Sequence, residues 1–453
     1  MKAATHTHVI DVQALRVGMF VHLDVGWMAH PFPLSSFRIT SPAQVATIRS
    51  LGLAQVRWSP LQSDPVVVEP DDADSALPHP AHAAANDPDG PDTDTGSAAA
   101  GSPGTDAQAT DEANGPAVSA EAQALAERRR RLDRQRAAQK TCEKQYGEAS
   151  RACRQTIELV AGRPREAKAQ AEALTLALVE KMTGDQELCI RTLTENVADK
   201  TSMHAMNVGI VSLLMGRCFG FSSEEMQDIG VGAMLHDIGK LDLPTRMRHR
   251  EDNFSPSETR VYEEHVELGL VQARRMGLSP GATAVIAQHH EHADGSGFPA
   301  QLNSDRMTMA ARIVALVDRY DNLCNPRLAA KAMTPHESLS MLFAQGRSKF
   351  DTSILGAFIK MMGVYPPGSM VQLTDDRYGM VVAVNSSRPL KPSVLVHDAV
   401  PRDEALVLDL ELSSGLGIRR SIKPQQLPPT ALEYLAPGAR VTYFFEPANP
   451  VEE

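Results

Sequence analysis

The pattern of hydrophobic and polar positions divides the chain into segments of different character. Near the N-terminus, VIDVQALRVGMFVHLDVGW alternates apolar and polar residues. It is followed by a helical pattern that starts at Ser41 and Pro42 and stops at Gly52. A cap residue, a proline at the first helical position and a terminal glycine predict a helix, and AQVRWS after it predicts a short strand. We therefore expect a small α/β domain over residues 1–62.

The rest of the patterned sequence is helical first and β-type last. Residues 119–182 have a helical composition and are expected to connect the domains, and residues 183–363 show apolar-periodic helices with short breaks and no strand alternation. Residues 364–453 contain short β-type runs separated by turns, such as RYGMVVAVN and PSVLVHDA. The expected fold class is mainly α, an all-helical bundle with a small N-terminal α/β module and a small C-terminal β domain.

An acidic segment separates the first domain from the helices. Residues 61–118 hold 12 acidic residues and no Lys or Arg, within a chain of formal net charge -11. Their Ala, Asp, Pro, Gly and Ser content cannot bury enough surface to offset chain entropy, so residues 63–118 are expected to be a disordered linker. A solvated tether and an acidic docking tail are both open interpretations.

Charge and cysteine usage limit the partners and the compartment. Outside residues 61–118 the chain has 45 basic and 44 acidic residues, so it lacks the basic footprint of a domain that binds a nucleic-acid polymer. The run Arg128–Arg131 is either a nucleic-acid patch or the solvated face of a helix. Five cysteines without a CxxC pair indicate a reducing compartment, and no signal peptide or 18-residue apolar stretch is evident. We expect a cytoplasmic protein without a membrane span.

The helical region contains a series of metal-ligand side chains, each in or at the end of an apolar helical pattern. These are His204, His236, Asp237, His265, His289, His290 and Asp318. A single histidine in such a pattern is usually an ordinary core residue, but a carboxylate buried without a partner is costly. Four helices that present these groups to one core would form a mixed nitrogen and oxygen site, which suits Fe, Mn or Zn. Two ions sharing a carboxylate could activate water for phosphoryl chemistry.

Several motifs in this region together resemble one family. HDIGK (His236–Lys240) is similar to the signature of HD-superfamily metal-dependent phosphohydrolases, and HHEHADGSGFP (His289–Pro299) resembles the extended segment of the HD-GYP subfamily. VDRYDNL (Val317–Leu323) and HVELG at His265 match two further family motifs, the latter with Val266 in place of proline. The resemblance covers about residues 195–365 and implies an HD-type helical bundle. It also implies hydrolysis of the second messenger cyclic di-GMP to pGpG, and in some members on to GMP.

The resemblance implies a role for each candidate residue. His204, His236, Asp237 and Asp318 would hold one divalent ion, and Asp237 would bridge to a second held by His265, His289 and His290. Fe or Mn is expected first, with Zn, Mg or Ni as alternatives.

The remaining candidates would act on the substrate. Lys240 would contact the scissile phosphate or assist the leaving oxygen. Alternatively, it only interacts with the negative end of a helix dipole, as lysines at helix C-termini do. A substrate-side loop would be formed by Gly295, Gly297, Phe298 and Pro299. Arg312 would approach a phosphate oxygen or form an ordinary salt bridge.

Two further positions depart from the family pattern. Some members bind a third metal through a Glu four residues before the first histidine, where this chain has Lys200, so a binuclear site is expected. Phe298 stands where the family has tyrosine; it keeps an aromatic face for guanine stacking and loses a hydroxyl donor.

The segments outside the bundle agree with this family. LRVGMFVHLDVGWMAHPF (Leu15–Phe32) resembles the small domain of unknown function, DUF3391-like, that often precedes HD-GYP domains, with Trp27 and Phe32 expected in its core. The β-type tail resembles the one that often follows the catalytic helices. Signalling proteins would be partners, and the helices of residues 119–182 could pair in a homodimer. Two alternatives stay open, a catalytically weak cyclic di-GMP receptor or scaffold and an HD phosphohydrolase of another nucleotide.

Overall fold

The computed structural model describes residues 7–24, 36–60, 63–64, 120–183, 187–193, 200–249, 253–346, 348–413, 415–438 and 440–448. The helices are α1 (Pro42–Ser50), α2 (Ala120–Leu159), α3 (Pro164–Met182), α4 (Lys200–Cys218), α5 (Ser223–Leu235), α6 (Pro256–Glu263), α7 (His265–Met276), α8 (Pro280–Gln288), α9 (Met309–Cys324), α10 (Pro335–Gln345), α11 (Thr352–Met362) and α12 (Pro429–Leu435). The strands are β1 (His8–Asp11), β2 (Phe20–His22), β3 (Ser36–Arg38), β4 (Gln55–Trp58), β5 (Leu188–Thr192), β6 (Met370–Leu373), β7 (Tyr378–Asn385), β8 (Ser393–Val396), β9 (Val407–Asp409), β10 (Ile418–Ile422) and β11 (Tyr443–Pro447). The prediction of a mainly α protein with small sheets near both ends is confirmed.

The N-terminal module is an antiparallel four-stranded sheet with one helix. Its strand order is β1-β4-β2-β3, and α1 begins after Ser41, whose hydroxyl accepts a hydrogen bond from the backbone of Gln44. An apolar cluster that includes Val21, Ile39 and Ile48 fills the space between helix and sheet. The predicted helix and the strand at AQVRWS are confirmed. Trp27, Phe32 and nearly all of the acidic segment lie outside the described residues.

The ends of the bundle helices are encoded locally. α5, α6 and α10 each begin with a capping box, in which Ser222, Ser255 and Thr334 exchange hydrogen bonds with a glutamate three residues later. These bonds satisfy backbone N–H groups that the first helical turn leaves unpaired. α7 is capped at its C-terminus by Gly277, which adopts a left-handed conformation with φ 73°. The sequence therefore fixes the residues at which these helices begin and end.

Helix α4 is the centre of the bundle. Every residue from Ala205 to Gly216 is buried, as expected for a helix that is apolar on all faces. The core around it takes side chains from α2, α3, α5, α9 and α11 and from the strands β5 and β11. The two helices of residues 119–182 thus share this core. The domain boundaries proposed from the sequence stay predictions.

The second sheet differs from expectation in two strands. It joins strands in the order β10-β6-β7-β5-β11, with β8 beside β7 and β9 beside β8. β5 lies in a segment for which only helices were expected, and that expectation was wrong. Its central position comes from pairing with β7 and β11, which lie far away in the sequence. β10 was also not anticipated. No described helix is both long and apolar enough to cross a bilayer.

Candidate metal centre

Five elements bring the predicted ligands to one place. His204 lies in the second turn of α4, His236 and Asp237 directly follow α5, and His265 begins α7. The remaining ligands, His289, His290 and Asp318, directly follow α8 or lie in α9. Each histidine or aspartate lies in or directly beside an apolar helix, so the ligands converge on the bundle interior. The structure therefore brings all seven predicted ligand residues together.

A glycine contact sets the distance between two of these elements. A β-carbon on Gly239 would lie 2.0 Å from the carbonyl oxygen of His265 and 2.3 Å from the backbone nitrogen of Gly269. Only a residue without a side chain allows the turn Ile238–Asp242 to rest on the start of α7. The glycine of HDIGK therefore acts in packing, because it lets Asp237 approach His265.

Three histidines are oriented by their own backbones. In His236, His265 and His289 the Nδ1 atom lies 2.6 to 2.8 Å from the carbonyl oxygen three residues earlier. A carbonyl only accepts, so Nδ1 carries a proton, and in a neutral imidazole Nε2 then presents a lone pair. The Nε2 atoms of His265 and His289 are 3.4 Å apart. Two lone pairs at this distance repel each other unless a cation lies beside them.

His204 is oriented by a carboxylate. Its Nδ1 lies 2.7 Å from Oδ2 of Asp321, and its Nε2 lies 3.2 Å from both Nε2 of His236 and Oδ1 of Asp318. A carboxylate behind a histidine fixes the ring and raises its basicity as a metal ligand. Asn322 holds Asp318 through a hydrogen bond of 2.7 Å.

Asp237 lies between two groups of ligands. Its Oδ2 is 3.5 Å from Nε2 of His236 and 3.8 Å from that of His204. Its Oδ1 is 3.6 Å from Nε2 of His265 and 3.7 Å from that of His289. Each oxygen thus faces one group of ligand atoms, and all atoms within a group lie within 4.8 Å of one another. The carboxylate is placed to be shared between two cations.

The donor set fits divalent metal ions. Oδ1 of Asp237 and Nε2 of His290 are both buried, and neither has a hydrogen-bond partner. Unpaired buried polar atoms are costly, and a cation bound in this cluster would satisfy both of them. Imidazole nitrogens with carboxylate oxygens suit Fe, Mn or Zn. The cluster can therefore hold metal.

Electrostatics leave one group of imidazoles neutral. Burial lowers the pKa of His265 to about 3 and also lowers the pKa values of His289 and His290. Neutral imidazoles are the form that binds metal. Burial alone would raise the pKa of Asp237, but the positive charge of Lys240 helps to hold it well below its usual range.

The pKa of His204 is shifted in the opposite direction. Burial alone would lower the pKa of His204, but hydrogen bonds to Asp318 and Asp321 raise it to about 10. The imidazole of His204 is therefore protonated when no metal is bound, and an ion that binds there must displace this proton.

Lys240 projects into the site. Its Nζ lies 2.5 Å from Oδ2 of Asp237 and 5.3 Å from the ring centroid of Tyr262. Burial would lower the pKa of Lys240, but the charge of Asp237 raises it above its usual range. The ammonium group is therefore a fixed positive charge beside the shared carboxylate, available to an anionic ligand.

The predicted loop lies directly against the ligands. The ring of Phe298 lies 4.6 Å from the ring of His290, between centroids. A β-carbon on Gly297 would lie 2.4 to 2.5 Å from backbone atoms of residues 290–292, so this glycine packs on the chain that carries the ligands. Gly295 adopts φ 77°, and Pro299 is exposed.

Arg312 occupies a different environment from the loop. Its Nη1 lies 2.6 Å from Oδ2 of Asp351, the cap of α11. It lies six residues before Asp318, which is about 9 Å along α9. A salt bridge, one of the two alternatives for this residue, is present; contact with a phosphate stays a prediction. Lys200 stands where some family members have a Glu that binds a third metal. Its side chain lies outside the described residues.

Sequence reasoning missed several supporting residues. Asp321 orients His204, and Glu291 is buried and accepts hydrogen bonds from the backbone of Ala300 and Leu302, which fixes the loop. Tyr262 packs beside His265, with ring centroids 4.9 Å apart. Asp321 could have been found, because the D-x-x-D spacing puts two carboxylates on one side of a helix.

Two family models match this chain. Residues 187–354 match the family model described as HD domain, and residues 7–171 match the model described as a domain of unknown function, DUF3391. The ligand cluster lies in the part of the chain that matches the HD domain model, and this part follows the one that matches DUF3391.

Curated relatives are cyclic dinucleotide phosphodiesterases. A cyclic di-GMP phosphodiesterase of Pseudomonas aeruginosa is 28% identical over 199 residues, 43% of this chain and 47% of the relative. The cyclic di-GMP phosphodiesterase response regulator RpfG of Xanthomonas campestris is 31% identical over 163 residues, 35% of this chain and 43% of the relative. A 3'3'-cGAMP-specific phosphodiesterase of Vibrio cholerae is 27% identical over 158 residues, 34% of this chain and 30% of the relative. The chain spans about half or less of the length of these relatives.

Proposed function

We propose that this chain, whose residues 187–354 match the HD domain model, hydrolyses cyclic di-GMP to pGpG at a binuclear metal site. The observation that carries the proposal is the position of Asp237, with one oxygen facing His204 and His236 and the other facing His265 and His289. The identity of the substrate is inferred from relatives that are named cyclic di-GMP phosphodiesterases.

The metal ligands would divide into two sets that share Asp237. His204, His236 and Asp318 would complete the first set. His265, His289 and His290 would complete the second. Fe or Mn suits this set of nitrogen and oxygen donors, and bound divalent ions would supply a nucleophile at neutral pH by acidifying water.

The side chains around the ligands would hold the substrate. Lys240 is a cation within 2.5 Å of Asp237, so it would bind a non-bridging oxygen of the scissile phosphate and stabilise the charge that develops there. The ring of Phe298 beside His290 offers a face for guanine stacking. Gly295, Gly297 and Pro299 would shape this loop, and Arg312 would reach a phosphate only if it separates from Asp351.

The wild-type protein loaded with Mn²⁺ or Fe²⁺ tests the proposal. Cyclic di-GMP is added and products are separated by chromatography, which also shows whether pGpG is cleaved further to GMP. Asp237→Ala should abolish turnover. Asp242→Ala is the matched control, because Asp242 lies at the end of the same short turn and bonds only Gln272 among the described partners. A fully metallated wild type that forms no pGpG would refute the proposal.

The same experiment decides between the alternatives. A relative specific for 3'3'-cGAMP makes this dinucleotide the first competitor for a substrate panel. Binding of cyclic di-GMP without hydrolysis by the metallated protein would identify a receptor or scaffold instead.

A further inference from the structure

A chain of hydrogen bonds links the C-terminal strand to one of the metal ligands. Asp321, whose Oδ2 lies 2.7 Å from Nδ1 of His204, is 2% exposed. Its other oxygen accepts hydrogen bonds from the side-chain amides of Asn207, at 2.7 Å, and Asn325, at 2.9 Å. The carboxylate that orients His204 is thus itself held from two sides.

Both asparagines are held in turn by the segment that enters β11. The amide of Asn325 donates to the carbonyl of Val441 and accepts from its N–H, both at 2.8 Å. The amide of Asn207 donates to the carbonyl of Val441 at 2.9 Å and accepts from the N–H of Tyr443 at 3.1 Å. Four hydrogen bonds to the strand backbone therefore fix how the two amides face Asp321.

The position of this strand depends on the C-terminal sheet as well as on the helical bundle. β11 pairs with β5 along its whole length, and β5 pairs with β7 in the C-terminal sheet. Arg440 anchors the start of the segment, because its guanidinium donates to the carbonyls of Asn325 and Pro326 at 3.1 and 3.3 Å. A shift of the sheet would therefore move the backbone groups that hold both asparagines.

We propose that residues 440–443 are a positioning element for His204, through which the C-terminal sheet controls the affinity of the ion held by His204, His236 and Asp318. If the strand moves, the amides lose their orientation, Asp321 is free to rotate, and Nε2 of His204 no longer points at the site. Partners behind a metal ligand typically change metal affinity by about 10- to 100-fold. The ligands of the second ion, His265, His289 and His290, make no described contact with this network.

This inference rests on the metal-binding part of the proposed function and not on the identity of the substrate. Co²⁺ titration of the full chain tests it, because the visible absorption of Co²⁺ reports the number, affinity and coordination of bound ions. We expect the wild type to bind two Co²⁺. Asn207→Ala and Arg440→Met should each lower the affinity for one of the two ions by about 10-fold or more and leave the affinity for the other unchanged.

Arg440→Met is the less disruptive variant, because the side chain of Arg440 does not contact Asp321. Asn385→Ala is the matched control: Asn385 is a buried asparagine of the same sheet whose amide bonds Glu187 at 2.8 Å. It should lower the thermal midpoint and leave both Co²⁺ affinities unchanged.

Two results would overturn the inference, and they differ in what else they refute. Two tightly bound Co²⁺ in both Asn207→Ala and Arg440→Met would refute the positioning role alone. A wild type that takes up no Co²⁺ would refute the proposed metal centre as well.

Discussion

Replacing Gly239 by alanine adds one methyl group at the closest backbone contact of the site. The new carbon would lie 2.0 Å from the carbonyl oxygen of His265 and 2.3 Å from the nitrogen of Gly269. Both neighbours are backbone atoms, so no side-chain rotation can relieve the clash. The turn that carries Asp237 must move away from α7 by about 1 Å or more, because ordinary carbon contacts begin at about 3.5 Å.

This movement has two measurable consequences. Overpacking of a buried contact costs about 1–3 kcal/mol of stability, which urea unfolding measures. The same movement separates Asp237 from His265, and a misplacement of about 1 Å can cost about 100-fold in rate. We expect metal-loaded Gly239→Ala to lose at least about 100-fold in turnover of cyclic di-GMP and to bind its metal ions more weakly.

Gly356→Ala is the matched control for this prediction. Gly356 lies inside α11, and a β-carbon there would meet nothing within 4 Å. Alanine in a helix interior is better than glycine by about 0.5–1 kcal/mol, so this variant should be slightly more stable and fully active. If Gly239→Ala retained wild-type turnover and metal content while folded, our account of how the turn and α7 set the site would be wrong.

Three further predictions concern charge and aromatic groups. Lys240→Met should lower turnover by about 100-fold or more, because a cation next to the reacting phosphate is lost, while metal ions bind as tightly as before or more tightly, which Co²⁺ titration measures. Phe298→Leu should raise KM by about 10-fold, since stacking on a base is worth about 1–3 kcal/mol, and Phe298→Tyr should not; equal KM values for both variants would exclude stacking. Burial lowers the pKa of Lys360 to about 8, below its value in the unfolded chain. The unfolded chain therefore binds this proton more tightly, and the contribution of Lys360 to stability should rise between about pH 8 and pH 10.5, which the difference between the wild type and Lys360→Met isolates. Lys360→Met should gain about 1–2 kcal/mol in urea unfolding at pH 7, after allowance for solvent near the ammonium group, and lose this advantage above pH 10.5.

The helices and their ends were predictable because their signals are local. Ser41 and Pro42 mark the start of α1 in the sequence, and the structure starts the helix there. The metal ligands were predictable for a different reason: histidine and aspartate are unusual inside apolar helical patterns, and their combination is specific to one kind of chemistry.

Pairing between distant segments was not predictable. LCIRT in β5 does alternate, with Leu188, Ile190 and Thr192 buried, but five residues between helices are too few to distinguish a strand from a connection. The strand exists because β7 and β11 lie on either side of it, and hydrogen-bond partners far along the chain leave no trace in a local pattern.

Asp318 and Asp321 show most clearly what the sequence determines and what only the tertiary structure decides. By itself, the sequence determined that two carboxylates three residues apart lie on one side of a helix in a bundle rich in histidine. Only the tertiary structure decided their different roles: Asp318 faces Nε2 of His204, and Asp321 faces its Nδ1. The physical reason is that hydrogen-bond geometry depends on where helices and strands meet, and here the strand after Arg440 supplies the groups that hold Asp321 in place through Asn207 and Asn325.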